Sequence, residues 1–206
     1  RPANNVNDTG LPEPPPYIGD KRLFMAHNFY DVTNPKLRAL HRGYIRQCLD
    51  NFADCSNVIQ MTSAEYSGPF EFTQFWLDTI IEWEREHDRD VIVALSAPKD
   101  VQDAILADPE RSPHVDVIDI RYWAYTADDG LYAPNGGQSL APRQHLRQTR
   151  QKPGGAAAIV KAVREFRERY PDKAVIYNAE ENCPTIHDGW ARSEEHTSEL
   201  QSRTLI

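Results

Sequence analysis

Apolar residues along the chain follow two rhythms. Steps of three and four residues run over residues 35–52, 71–87, 99–106 and 155–170, and each predicts an amphipathic helix. In the first, Leu37, Leu40, Tyr44, Ile45, Cys48, Leu49 and Phe52 make the apolar stripe, while Arg38, Arg42, Arg46 and Asp50 fill the other side as a solvated face. Asn34-Pro35 gives it an N-cap and a proline at the first helical position, where no amide donor is needed. The second helix turns Phe72, Phe75, Trp76, Thr79, Ile80 and Trp83 inward, with Glu82, Glu84, Arg85 and Glu86 read as surface. The third is short, with Val101, Ile105 and Leu106 inward, and the fourth buries Ile159, Val160, Val163, Phe166 and Tyr170.

Between the helices lie short, near-continuous apolar runs: Val58-Ile59-Gln60-Met61, then residues 91–96, 115–123 and 174–178. Runs of that length without alternation predict strands buried on both faces. Helices separate successive strands, so the sheet is expected to be parallel. The first strand delivers Glu65 at its carboxyl end, before Gly68-Pro69 stops it. Residues 1–20, with their Asn and Pro clusters, read as a loop, and residues 124–153 form a second one, too long for a passive connector and expected on the active side. An open nucleotide-binding sheet would carry a Gly-rich turn between a strand and the next helix. Gly136-Gly137 sits inside the long loop and Gly154-Gly155 follows no strand directly, which favours a closed barrel.

Charge and cysteines narrow the chemistry. The net charge of −8 repels a phosphate backbone, so nucleic acid is not an expected partner. No run reaches the roughly twenty apolar residues of a membrane helix. Cys48, Cys55 and Cys183 form neither a CxxC pair nor a metal-ligand spacing and read as ordinary thiols. No metal and no cofactor is expected, and the sequence leaves compartment and oligomeric state open. Residues 192–202 resemble the in-frame translation of a common sequencing adapter, so residues 192–206 are read as a non-native tail. Residues 1–191 then form the domain, shorter than the roughly 250 residues usual for an eight-stranded barrel.

Candidate chemistry gathers at strand ends. Glu65 follows the first strand, Tyr122 and Trp123 end the third, and Glu180-Glu181 follow the last. Tyr66, Tyr122 and Trp123 offer apolar faces on which a sugar ring can pack. Arg143, with Arg147, Arg150 and Lys152, forms a basic strip beside His145 that reads either as a hold for a uronic acid or as a solvated charge run. Asn57-Val58-Ile59 leading to Glu65, the Tyr122-Trp123 strand end, and Lys173-Ala174-Val175-Ile176 leading to Glu180-Glu181 resemble strands four, six and seven of the clan A glycoside hydrolases. The run from Gly19 to Trp190 is similar to a bacterial glycoside-hydrolase-type family otherwise described only as a domain of unknown function.

The resemblance implies a partial (β/α)8 barrel of about strands four to seven, truncated at both ends. It further implies O-glycosyl hydrolysis of a carbohydrate, with Glu65 as acid/base and Glu180 or Glu181 as nucleophile. Retaining cleavage needs one carboxylic acid to protonate the leaving oxygen and one carboxylate to attack the anomeric carbon. Ala64 stands where clan A members carry Asn before the acid/base. That departure keeps two alternatives open: a non-catalytic carbohydrate-binding barrel, and a barrel enzyme of another class such as a lyase or isomerase.

Overall fold

Helix starts in this chain are set by local chemistry. Asn34 Oδ1 accepts hydrogen bonds from the Lys36 and Leu37 amides, both at 3.1 Å, so two otherwise unpaired donors are satisfied as helix α1 (Pro35–Asn51) begins. Helix α2 (Phe70–His87) is entered from extended Pro69 and ends at Asp88, whose φ of 49° turns the chain out of the helix. Extended Pro98 leads in the same way into α3 (Lys99–Leu106), and α4 spans Gly155–Arg169. The computed structural model describes residues 30–63, 69–120, 123–132 and 155–177. Its strands are β1 (Ile59–Met61), β2 (Ile92–Ser96), β3 (Val117–Ile120), β4 (Ala124–Tyr125), β5 (Leu131–Tyr132) and β6 (Ala174–Tyr177).

The protein is mixed α/β, built on a four-stranded parallel sheet of order β1-β2-β3-β6. Partners in register point to the same face, and successive residues alternate. Val93 and Leu95, Ile118 and Ile120, and Val175 and Tyr177 therefore share one face, where they join Phe72, Phe75, Leu77, Ile80, Trp83, Ile159, Val163 and Phe166 from the helices in one apolar core. The opposite face carries Ile59, Met61, Ile92, Ala94, Ser96, Val117, Asp119 and Ile176.

The first strand departs from its expected burial. Ile59 is 48% and Met61 38% exposed, because β1 is paired only with β2 and its outer edge has no neighbour among the described residues. The segment expected as a plain loop from residue 124 also begins with structure. β4 and β5 pair antiparallel, closed by the Thr126 amide donating to the Gly130 carbonyl at 2.8 Å. A Cβ on Gly130 would come within 2.8 Å of Thr126 Oγ1, so glycine is needed at that turn.

The helix layer corrects two further expectations. The charged side of α1 faces α2 rather than open solvent: Arg42 pairs with Glu82, Arg46 with Glu86, and Asp50 accepts from Trp83 Nε1 at 2.7 Å. The buried stripe of α1 is Leu37, His41, Ile45 and Leu49, leaving Tyr44, Leu40 and Phe52 exposed. Glu84, expected on the surface, is buried instead. Its carboxylate accepts from the Val91 amide at 3.0 Å and meets His114 Nδ1 at 2.7 Å. Phe166 is wholly enclosed between Trp123 and Tyr170. Phe166→Ala is expected to cost about 3–5 kcal/mol, through lost transfer energy and the cavity left behind. Equilibrium urea unfolding reads this as a lowered midpoint at an unchanged slope.

Candidate functional site

The carboxyl edge of a parallel sheet is where backbone carbonyls run out of partners, and here side chains take over. Beyond β1, the Thr62 amide donates to the Ala94 carbonyl at 3.0 Å, and Thr62 Oγ1 accepts from the Ser96 amide at 3.1 Å. Ser63 Oγ donates to the Ser96 carbonyl at 2.7 Å. Between β2 and β3 the bridge is Gln102 of α3, which is wholly buried. Its Nε2 donates to the Leu95 carbonyl at 3.0 Å and the Asp119 carbonyl at 2.8 Å, while its Oε1 accepts from Trp123 Nε1 at 2.8 Å. One amide thus fixes the spacing of two strand ends and the place of an indole.

Behind Trp123 lies a polar network that braces the hairpin against the helices. Lys99 Nζ donates to Asp103 at 2.7 Å and to Glu165 at 2.8 Å, and stands over the rings of Trp123 and Phe166. Tyr125 Oη donates to the other Glu165 oxygen, and Arg169 donates to Asp103 and Glu165 from the far side. Burial alone would lower the Lys99 pKa, but its two carboxylate hydrogen bonds outweigh that and raise it. For Glu165, burial pushes upward, yet the bonds from Lys99 and Tyr125 and the charges of Lys99 and Arg169 hold it below the ordinary glutamate value. The Tyr125 hydroxyl is raised by burial and by the Glu165 carboxylate beside it. It stays protonated as a donor.

Of the residues the sequence singles out, Trp123 is the one the structure describes. It is 0% exposed, with its ring edge-on to Tyr125 and Phe166, so in this structure it packs and offers no open face to a sugar. Glu65, Tyr66, Tyr122, Arg143, His145, Glu180 and Glu181 lie outside the described residues. Gln102 and Asp119 went unread in the sequence. The local signal was a polar residue inside each of two apolar patterns, Val101-Gln102 and Ile118-Asp119-Ile120. A cavity of about 310 Å³ opens beside the carboxyl end of β1 on the helix side, lined by Tyr44, Cys48, Met61, Thr62, Ser63 and Trp76 among others. Among the described residues, no group of three or more His, Cys, Asp or Glu is placed to hold a metal ion, and no helix is long and apolar enough to cross a membrane.

Fold and edge together define an α/β protein with a parallel sheet whose carboxyl ends carry buried polar side chains. The chain belongs to the family described as "Domain of unknown function (DUF6298)", which it matches over residues 1–193. No curated protein and no solved structure matches it.

Two outcomes follow from the geometry. Gln102→Leu keeps the volume but strips partners from two buried carbonyls and an indole N–H, so it is expected to destabilise the fold by about 2–5 kcal/mol, each stranded group costing about 1–3. Denaturant unfolding of the variant measures the loss. Glu165→Gln tests the network through pH. A carboxyl whose folded pKa is depressed stabilises the fold above its unfolded pKa and loses that stabilisation as pH falls through the folded value. The variant should therefore fall below the parent by about 1 kcal/mol at pH 7, and the gap should close as pH drops below the ordinary glutamate pKa of 4.5.

Proposed function

We propose that the chain is part of a (β/α)8 glycoside hydrolase and that its sheet is about half of the barrel. The observation that carries this reading is strand order: β1, β2, β3 and β6 pair in the order in which they occur in the chain. In a doubly wound sheet the order reverses at a switch point, whereas in a barrel each strand sits beside its predecessor. Parallel pairing also puts every carboxyl end on one edge. Glu65 follows Met61 by four residues, Tyr122 follows Ile120 by two, and Glu180 follows Tyr177 by three. These candidates are thus tethered to the same edge of the sheet, the edge where barrel enzymes place their chemistry.

The two-carboxylate mechanism then becomes a question of curvature. β1 and β6 are separated by three strand spacings, about 14 Å along a flat sheet. Retaining cleavage requires the carboxyl groups about 5–5.5 Å apart. Only a sheet that curls toward closure brings side chains from strands so far apart to that distance. In this reading Glu65 is the acid/base, Glu180 or Glu181 the nucleophile, and the partner a carbohydrate. Activity of the full-length gene product on a panel of 4-nitrophenyl glycosides tests it. Glu65→Gln is expected to lower kcat by about 10²–10⁴-fold, the usual contribution of a general acid. Full activity in that variant would place the acid/base elsewhere.

A further inference from the structure

Strand β3 contains or adjoins two aspartates, Asp116 at its amino end and Asp119 near its carboxyl end, and only the first has a structural task in view. Asp116 Oδ2 accepts from the Val93 amide at 2.8 Å, and its backbone carbonyl accepts from Ala174, so it staples β2, β3 and β6 together. Asp119 occupies a different position. It lies between Ile118 and Ile120, both of which point into the helix-side core, so its side chain points to the opposite face, in register with Ser96 on β2 and Ile176 on β6. Among the described strand residues on that face it is the only charged one, and it is 0% exposed.

Aspartate is disfavoured inside strands, and a buried carboxylate costs several kcal/mol of desolvation that its interactions must offset. An aliphatic residue would fill the same site of an apolar strand without that cost. Perturbed, buried acids concentrate at functional sites. Asp119 also sits one residue from the carboxyl end of its strand, level with the Ser96 carbonyl that Ser63 Oγ holds. Full burial argues that it acts through neighbouring groups at this edge rather than by touching a substrate.

We infer that Asp119 is a positioning residue of the site at the carboxyl edge of the sheet, a carboxylate that fixes the geometry of the groups carried by the segments following β1, β3 and β6. The inference rests on the glycoside hydrolase reading for its chemistry, but not for its location. Asp119→Asn keeps the shape and removes the charge, and the test is made in the full-length gene product with 4-nitrophenyl glycosides. A positioning role predicts kcat lowered about 100-fold with KM within threefold of the parent, since a misplaced reacting group loses rate rather than ground-state binding. The melting temperature should stay within about 5 °C. Retention of kcat within threefold, or a proportionate rise in KM at constant kcat, overturns it. A parent that hydrolyses no glycoside defeats the hydrolase reading, and Asp119 is then decided by stability alone. A melting temperature held within about 5 °C in Asp119→Asn supports a carboxylate not needed by the fold, and a larger fall makes it structural.

Discussion

The carboxyl edge of the sheet depends on one buried amide. Gln102 answers the Leu95 and Asp119 carbonyls and the Trp123 indole at once, in a place where water has no access. Its position follows from α3, which starts right after β2 turns at Ala97-Pro98 and so returns its first turn across the ends of β2 and β3. An unpaired carbonyl in such a setting costs about 1–3 kcal/mol, so the residue that removes the penalty sets what can surround it. Trp123, held by the same amide, then supplies the wall against which Phe166 and Lys99 pack.

Around that edge, charge serves packing more than display. Lys99 lies over two aromatic rings and is held there by Asp103 and Glu165, so its stem covers apolar surface while its head is paired. Between α1 and α2, Arg42 and Arg46 reach Glu82 and Glu86, and Arg38 lies over the Phe75 ring. The pairs are partly exposed, and such bridges contribute little stability each. They select which sides of two helices meet.

Much of the fold was legible because it rests on period. Residues 35–52 and 99–106 read as helices, and α1 (Pro35–Asn51) and α3 (Lys99–Leu106) form there to within a residue. Alternation of helix with strand implied the parallel sheet. Facing was less legible. On α1 two overlapping stripes satisfied the same spacing, and the chain buries the one containing His41, a residue that hydropathy counts as polar. Glu84 is buried because its partners come from Val91 and His114, and no spacing within a helix announces a partner on another element. The β4–β5 hairpin did leave a sign: Asp129-Gly130 is a turn pair of the kind that joins short strands, and Asp129 takes a φ of 63° there. At the candidate site the sequence pointed to carboxylates and aromatic rings beyond the strand ends. The polar groups beneath them, Gln102 and Asp119, escaped notice because each is a single residue within an otherwise apolar pattern.

The face of the sheet away from the helices changes character along its length. Toward the amino end it shows Ile59 and Ile92, both substantially exposed, and toward the carboxyl end Ser96 and Asp119, both buried. An apolar amino end is the composition expected where side chains of a closed barrel stack in layers and hold it together. A polar carboxyl end sacrifices some of that stability, since every buried hydroxyl and carboxylate there must find a partner. Parallel strands make the division possible. All of them turn the same end to the same edge, so one end of the sheet can be given to cohesion while the other collects groups whose value is chemical.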